Sequence, residues 1–96
     1  MILAPAPPVA HQAATTTIRL VDNRFHPSHK DIHRGTTVRF VWTGKNPHNV
    51  FVFDGPRSFH SKTQTTGTYT KRLTRKGVYH LGCTIHAGML LTIKVR

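Results

Sequence analysis

Four side chains that can bind a soft metal ion lie in two short segments of the chain. Cys83, His86 and Met89 follow one another at intervals of three residues, and His48 lies upstream in the second segment. Two imidazoles, one thiolate and a weak axial thioether are the ligand set of a blue copper site, which transfers single electrons. The sequence therefore predicts a copper ion, cycling between Cu²⁺ and Cu⁺, bound by these four side chains.

The spacing of the four side chains also limits which loops can bring them together. Cys83 ends a strand-like segment, and His86 and Met89 lie in the loop to the final strand, so one tight turn can direct three donors to a common point. Gly88 allows this turn a strained backbone conformation. His48 must come from a different loop at the same end of the molecule, which makes the site depend on tertiary structure.

The residues that flank His48 support this interpretation. Pro47 stiffens the approach to the histidine, and Asn49 is placed to form a hydrogen bond across to the Cys83 loop. Such a bond would hold the two ligand segments together from outside the metal's own ligands.

Short segments rich in β-forming residues occupy the chain after residue 14, and none shows a sustained period of 3.6 residues. Alternation predicts strands over 15–21, 37–43, 67–73, 78–83 and 89–95, and a short apolar run predicts one over 49–53. Phe40, Trp42 and Tyr79 are expected in the core, and residues 54–66 suit a short helix or an irregular loop. Short strands with regular turn residues favour an all-β sandwich or barrel.

The 96 residues suit one domain, which we place at 15–96. Residues 1–14 are rich in Ala and Pro and make a poor signal peptide, so we expect a flexible N-terminal segment, a tether or the remnant of a removed signal. No apolar run approaches the 18 or so residues of a transmembrane helix.

The charge is strongly unbalanced, with 14 Lys and Arg against 3 acidic residues and a net charge of +11. Acidic proteins, anionic lipid, polyanionic cell wall and nucleic acid would all be attracted. Nucleic-acid binding is disfavoured because the aromatic residues fall at strand-interior positions rather than among the charges. The densest basic cluster, at 71–76, suits a solvated hairpin end or a surface for a partner.

Simpler interpretations exist for single residues. A lone Cys83 cannot form an internal disulfide and in isolation would more often be a small buried apolar residue; Met89 alone could fill the core. Six further histidines lack ligand spacing with the cysteine, although His26 and His29 could bind a second metal adventitiously. They are His11, His26, His29, His33, His60 and His80.

Two segments resemble the plastocyanin-like cupredoxins. Residues 44–54, Gly-Lys-Asn-Pro-His-Asn-Val-Phe-Val-Phe-Asp, resemble the segment of the family's first ligand, and residues 77–83 resemble its last strand before the cysteine ligand. The resemblance extends over roughly residues 15–96. It implies a Greek-key β-sandwich, copper bound by His48, Cys83, His86 and Met89, and one-electron shuttling between larger redox proteins.

The sequence differs from plant plastocyanin in two features, one in the ligand loop and one that concerns the redox partner. The loop from Cys83 to Met89 is shorter and has the spacing of amicyanin-like members. The acidic patch that follows the first-ligand strand is missing, and Arg57, His60 and Lys62 stand there instead. The usual photosynthetic partner is therefore not expected.

We predict a monomeric type 1 copper electron carrier outside the cytoplasm, periplasmic or secreted or at the cell surface, with His86 as its electron port. Its partners would be acidic redox proteins, and with no small-molecule substrate it would not be an enzyme. Two alternatives stay open: a copper-delivery or copper-buffering protein, and a domain of a longer oxidase or surface-anchored protein.

Overall fold

The computed structural model describes residues 14–96, which form two four-stranded β-sheets. The strands are β1 (Thr15–Val21), β2 (Arg24–His26), β3 (His29–Ile32), β4 (Thr36–Trp42), β5 (Phe51–Asp54), β6 (Thr68–Leu73), β7 (Gly77–Gly82) and β8 (Leu90–Val95). One sheet has the order β2-β1-β4-β6 and the other β3-β8-β7-β5. The predicted all-β sandwich is confirmed. The segment predicted to be flexible lies, apart from Ala14, outside the described residues.

Alternating hydrophobicity explains the two layers. In β4, Val38, Phe40 and Trp42 point inward and are at most 6% exposed, while Arg39 between them is exposed. Because successive side chains of a strand point to opposite faces, each strand covers one side of the core and presents its polar residues to solvent. The same pattern buries alternate residues of β7 and β8, including Tyr79 at 0% exposure.

Two parallel pairings organise the sandwich. β1 pairs with β4 in parallel, with Leu20 opposite Trp42, and β3 pairs with β8 in parallel. Each connection from β2 to β7 passes from one sheet to the other, so only β1–β2 and β7–β8 join neighbouring strands of one sheet. As a result, the ends of β1 and β4 lie side by side, next to the connection between β4 and β5.

Two local features differ from the sequence prediction, and a third shows which of two predicted alternatives is present. Strands β2 and β3 were not predicted, because they are short and polar and bury only Phe25 and Ile32. Residues 54–66 match the second of the two predicted alternatives: after the end of β5 they form an irregular loop without a helix, and its two isolated bridges include His48 to Gln64. The basic cluster at 71–76 is not a hairpin end, since β6 and β7 belong to different sheets.

No helix among residues 14–96 is long and apolar enough to cross a membrane.

Two residues on opposite faces of β7 should differ sharply in their contribution to stability. Leu81 is 1% exposed and Val78 is 41% exposed. Leu81→Ala should lower the free energy of unfolding by about 2–5 kcal/mol, because it removes buried methyl groups and leaves a cavity. Val78→Ala should cost about 1 kcal/mol or less. Urea unfolding of the metal-free protein measures both, and equal losses would contradict the assignment of the two faces.

Candidate metal centre

The loop between β7 and β8 is a compact turn closed by its own backbone. Cys83 follows the last residue of β7 directly, and its N–H donates to the Met89 carbonyl at 3.1 Å. The Met89 N–H donates to the His86 carbonyl at 3.3 Å. Gly88 has a φ of +80°, in the left-handed region that glycine adopts without strain. The turn predicted for Gly88 is therefore present.

The structure brings three of the four predicted ligands together. One donor atom from each of His48, Cys83 and His86 lies within 4.8 Å of the others. The Nδ1 atoms of the two histidines are 3.1 Å apart, and the Cys83 Sγ lies 3.6 Å from the His86 Nδ1. The fourth residue, Met89, is 1% exposed in the same loop and is fixed by the two backbone bonds above.

Solvent reaches this group from one side. His48 is 0% exposed and Cys83 is 5% exposed, whereas His86 is only half-buried. Three chain neighbours of the two histidines, Pro47, Ile85 and Ala87, are exposed. The interior members are thus shielded from water, and His86 is the member that reaches the surface.

The His48 backbone is held on both sides. It exchanges two hydrogen bonds of 3.0 Å with the Gln64 backbone, and its carbonyl accepts a hydrogen bond from the Trp42 indole at 2.9 Å. Trp42 is the last residue of β4. The indole that packs in the core thereby also positions the segment that carries the histidine. Nothing local in the sequence indicated either partner.

The predicted hydrogen bond from Asn49 to the Cys83 loop is confirmed. The Asn49 side-chain amide donates to the Thr84 hydroxyl at 2.9 Å, and its carbonyl oxygen accepts from the Thr84 N–H at 2.8 Å. Asn49 is 8% exposed. This two-point contact ties the residue after His48 to the residue after Cys83.

Burial of the ring, and secondarily the neighbouring His86, lowers the pKa of His48 below 6.5. The neutral imidazole is the form that binds metal ions. Its Nε2 is buried and has no hydrogen-bond partner among the described residues, while the Asp22 Oδ1 lies 4.0 Å away. Sequence analysis missed Asp22, which directly follows β1 and is distant from His48 in the sequence.

The donor set fits copper. One thiolate and two imidazoles within a few ångströms favour copper, with a buried thioether in the same loop as a weak fourth donor. Donors bonded to one metal in a triangle, at about 2.0–2.3 Å from it, are about 3.5 Å apart. Two of the three observed separations, 3.1 and 3.6 Å, are close to this value, and all three are within 4.8 Å.

Residues 12–96 match the model of a family described as copper binding proteins, plastocyanin/azurin family. The chain belongs to this family. It is therefore a copper-binding cupredoxin, which agrees with the predicted cofactor. No match to a curated protein sequence was found.

Solved cupredoxin structures share the fold. A purple cupredoxin from Nitrosopumilus maritimus has a TM-score of 0.75 and 22% identity, and the match covers 83% of this chain and 98% of that protein's chain. An oxidised plastocyanin from Dryopteris crassirhizoma has a TM-score of 0.72 and 19% identity, and the match covers 84% of this chain and 100% of that protein's chain. At such identities these similarities concern the fold alone.

One larger protein contains a similar domain. A copper-containing nitrite reductase from Thermus scotoductus SA-01 has a TM-score of 0.75 and 27% identity, covering 99% of this chain. The cupredoxin described here spans about a quarter of the length of that enzyme, 25%.

The contact between Asn49 and Thr84 should contribute measurably to stability. Asn49→Ala removes both hydrogen bonds and should lower the free energy of unfolding of the metal-free protein by about 1–3 kcal/mol. Thr84→Val keeps the backbone bond and should cost about 1 kcal/mol or less. Denaturant unfolding measures both variants. Equal losses would contradict the two-point contact.

Proposed function

We propose that this cupredoxin uses His48, Cys83, His86 and Met89 to hold a type 1 copper ion and shuttles single electrons between redox partners outside the cytoplasm. The observation that carries the proposal is the convergence of one thiolate and two imidazoles at the end of a β-sandwich. Bound copper would supply a one-electron couple between Cu²⁺ and Cu⁺. The protein supplies the donors, their fixed positions and a dry interior.

The scaffold limits movement of the donors. His48 is held by the Gln64 backbone and the Trp42 indole, and its segment is tied to the Cys83 loop through Asn49. Donors that are held from several directions change position little when the charge of the site changes. A small reorganisation favours fast electron transfer, which suits a carrier.

The half-buried His86 is the proposed port for electrons. Its chain neighbours Ile85 and Ala87 are exposed apolar residues, Ile85 at 49%, and Pro47 beside His48 is exposed as well. We propose that these residues form an apolar rim around the ring edge of His86. An apolar rim permits a close contact that is quickly released, since it forms few specific bonds. The other proposed ligands are too deeply buried for a partner to reach.

The net charge of +11 favours acidic redox proteins as partners. Neither a substrate-binding residue nor a bond-making step is needed for this role, so we propose a carrier rather than an enzyme. The similarity to a nitrite reductase covers only 25% of that protein. We further propose that the carrier is a monomer and is periplasmic, secreted or attached to the cell surface, as the cupredoxin family suggests.

The thiolate should give the copper-loaded protein its colour. Adding Cu²⁺ and a mild oxidant to the wild type should produce an intense visible band, and Cys83→Ala should abolish it because no thiolate remains to donate charge. His80→Ala, which removes an exposed histidine of β7, is the matched control and should retain the band. Absorption spectra of the wild type and both variants measure this band. A band that persists in Cys83→Ala would contradict the ligand assignment, and a colourless wild type that binds only Cu⁺ would favour copper delivery instead.

Charge steering should appear in the salt dependence of electron transfer. The reduced protein, at +11, should be oxidised more slowly by anionic ferricyanide as salt rises from about 0.01 to 0.1 M, because the Debye length shrinks from about 30 to 10 Å. A cationic cobalt complex should show the opposite trend. Stopped-flow absorbance measures both rates, and identical responses would argue against steering by the protein's charge.

A further inference from the structure

One ring nitrogen of His48 has no hydrogen-bond partner among residues 14–96. The Nδ1 of His48 faces the Nδ1 of His86, and this second nitrogen, the Nε2 on the other side of the ring, is buried. A neutral imidazole that offers Nδ1 to a metal carries its proton on Nε2. That N–H needs an acceptor inside the protein, because no solvent reaches the ring.

Asp22 is placed to be this acceptor. Its Oδ1 lies 4.0 Å from the His48 Nε2, and a displacement of about 1 Å brings the two atoms into hydrogen-bond range. The same oxygen accepts the N–H groups of Lys45 at 2.6 Å and Asn46 at 3.0 Å. The carboxylate is therefore held against the segment that leads to His48.

The fold explains how a residue so distant in sequence arrives there. Asp22 directly follows β1, and the parallel pairing of β1 with β4 places Leu20 opposite Trp42. Gly44 leaves the necessary space, because a Cβ at this position would overlap the Asp22 carboxylate. The close approach thus depends on strand register and on a glycine.

The two other acidic residues, Asp31 and Asp54, are not placed to accept a hydrogen bond from His48. Asp31 pairs with Arg96 at 2.8 Å and with His29 at 2.9 Å, and Asp54 is an exposed residue at the end of β5. The two backbone N–H groups, that of Asn46 first and that of Lys45 second, lower the pKa of Asp22 below 3.8. The carboxylate is accordingly ionised at neutral pH and is a strong acceptor.

We propose that Asp22 is a positioning residue that accepts the Nε2–H of His48, fixes the ring's tautomer and keeps Nδ1 directed at the copper site. The inference rests on the proposed ligand role of His48. Carboxylates in this position orient a histidine ligand and raise its basicity, and their loss weakens metal binding by about 10- to 100-fold.

The first test uses the metal-free protein. Nitrogen NMR of the wild type should show His48 protonated at Nε2 and unprotonated at Nδ1. Asp22→Ala should shift the ring towards the other tautomer, while Asp22→Asn should retain the wild-type tautomer because its amide oxygen still accepts. Asp31→Ala, which removes an equally exposed carboxylate elsewhere, should leave the His48 signals unchanged. A wild type protonated at Nδ1, or an Asp22→Ala variant with an unchanged tautomer, would overturn the proposal.

The second test uses copper-loaded protein. Competition with a chelator should show Cu²⁺ binding about 10-fold weaker or more in Asp22→Ala than in Asp31→Ala. Asp22→Asn should keep the visible band but have a higher reduction potential than Asp31→Asn, because a negative charge near His48 favours the oxidised site. Equal copper affinities for the two alanine variants, together with equal potentials for the two asparagine variants, would refute the role of Asp22. A wild type without a visible band would instead refute the ligand assignment. The tautomer measurement on the metal-free protein would still show whether Asp22 accepts the His48 Nε2–H.

Discussion

The complete burial of His48 governs how this end of the molecule is built. His48 is 0% exposed, so its backbone and ring atoms depend on partners within the protein, since an unpaired buried polar group is costly. Its backbone is matched by Gln64 and by the Trp42 indole, which belong to two different parts of the chain. The connection between β4 and β5 is therefore fixed although it contains little regular structure.

The same constraint makes the site asymmetric. His48 and Cys83 lie in the interior, whereas His86 reaches the surface among exposed apolar residues. Hydrogen bonds hold the His48 segment on the inner side, and the proposed exchange with a partner would take place on the outer side. A carrier needs both properties, because a rigid centre transfers electrons fast and a small apolar contact releases its partner quickly.

Much of the fold could be predicted because strand patterns are local. The alternation in β4 identified Phe40 and Trp42 as core residues, and both are buried. β2 and β3 could not be predicted in this way, because each buries a single apolar side chain and owes its pairing to a neighbouring strand. The connection between β6 and β7 was misassigned as a hairpin, since sequence proximity does not reveal to which sheet a strand belongs.

By itself, the sequence determined which donor types are available, the turn from Cys83 to Met89 and the hydrogen bond from Asn49, because these depend on residue chemistry and short spacing. Only the tertiary structure decided that the His48 ring is sealed from water, that Gln64 and Trp42 hold its backbone, and that Asp22 lies 4.0 Å from its free nitrogen. The physical reason is that these contacts join segments that meet only through the parallel register of β1 and β4 and the crossing between sheets, for which no local pattern exists.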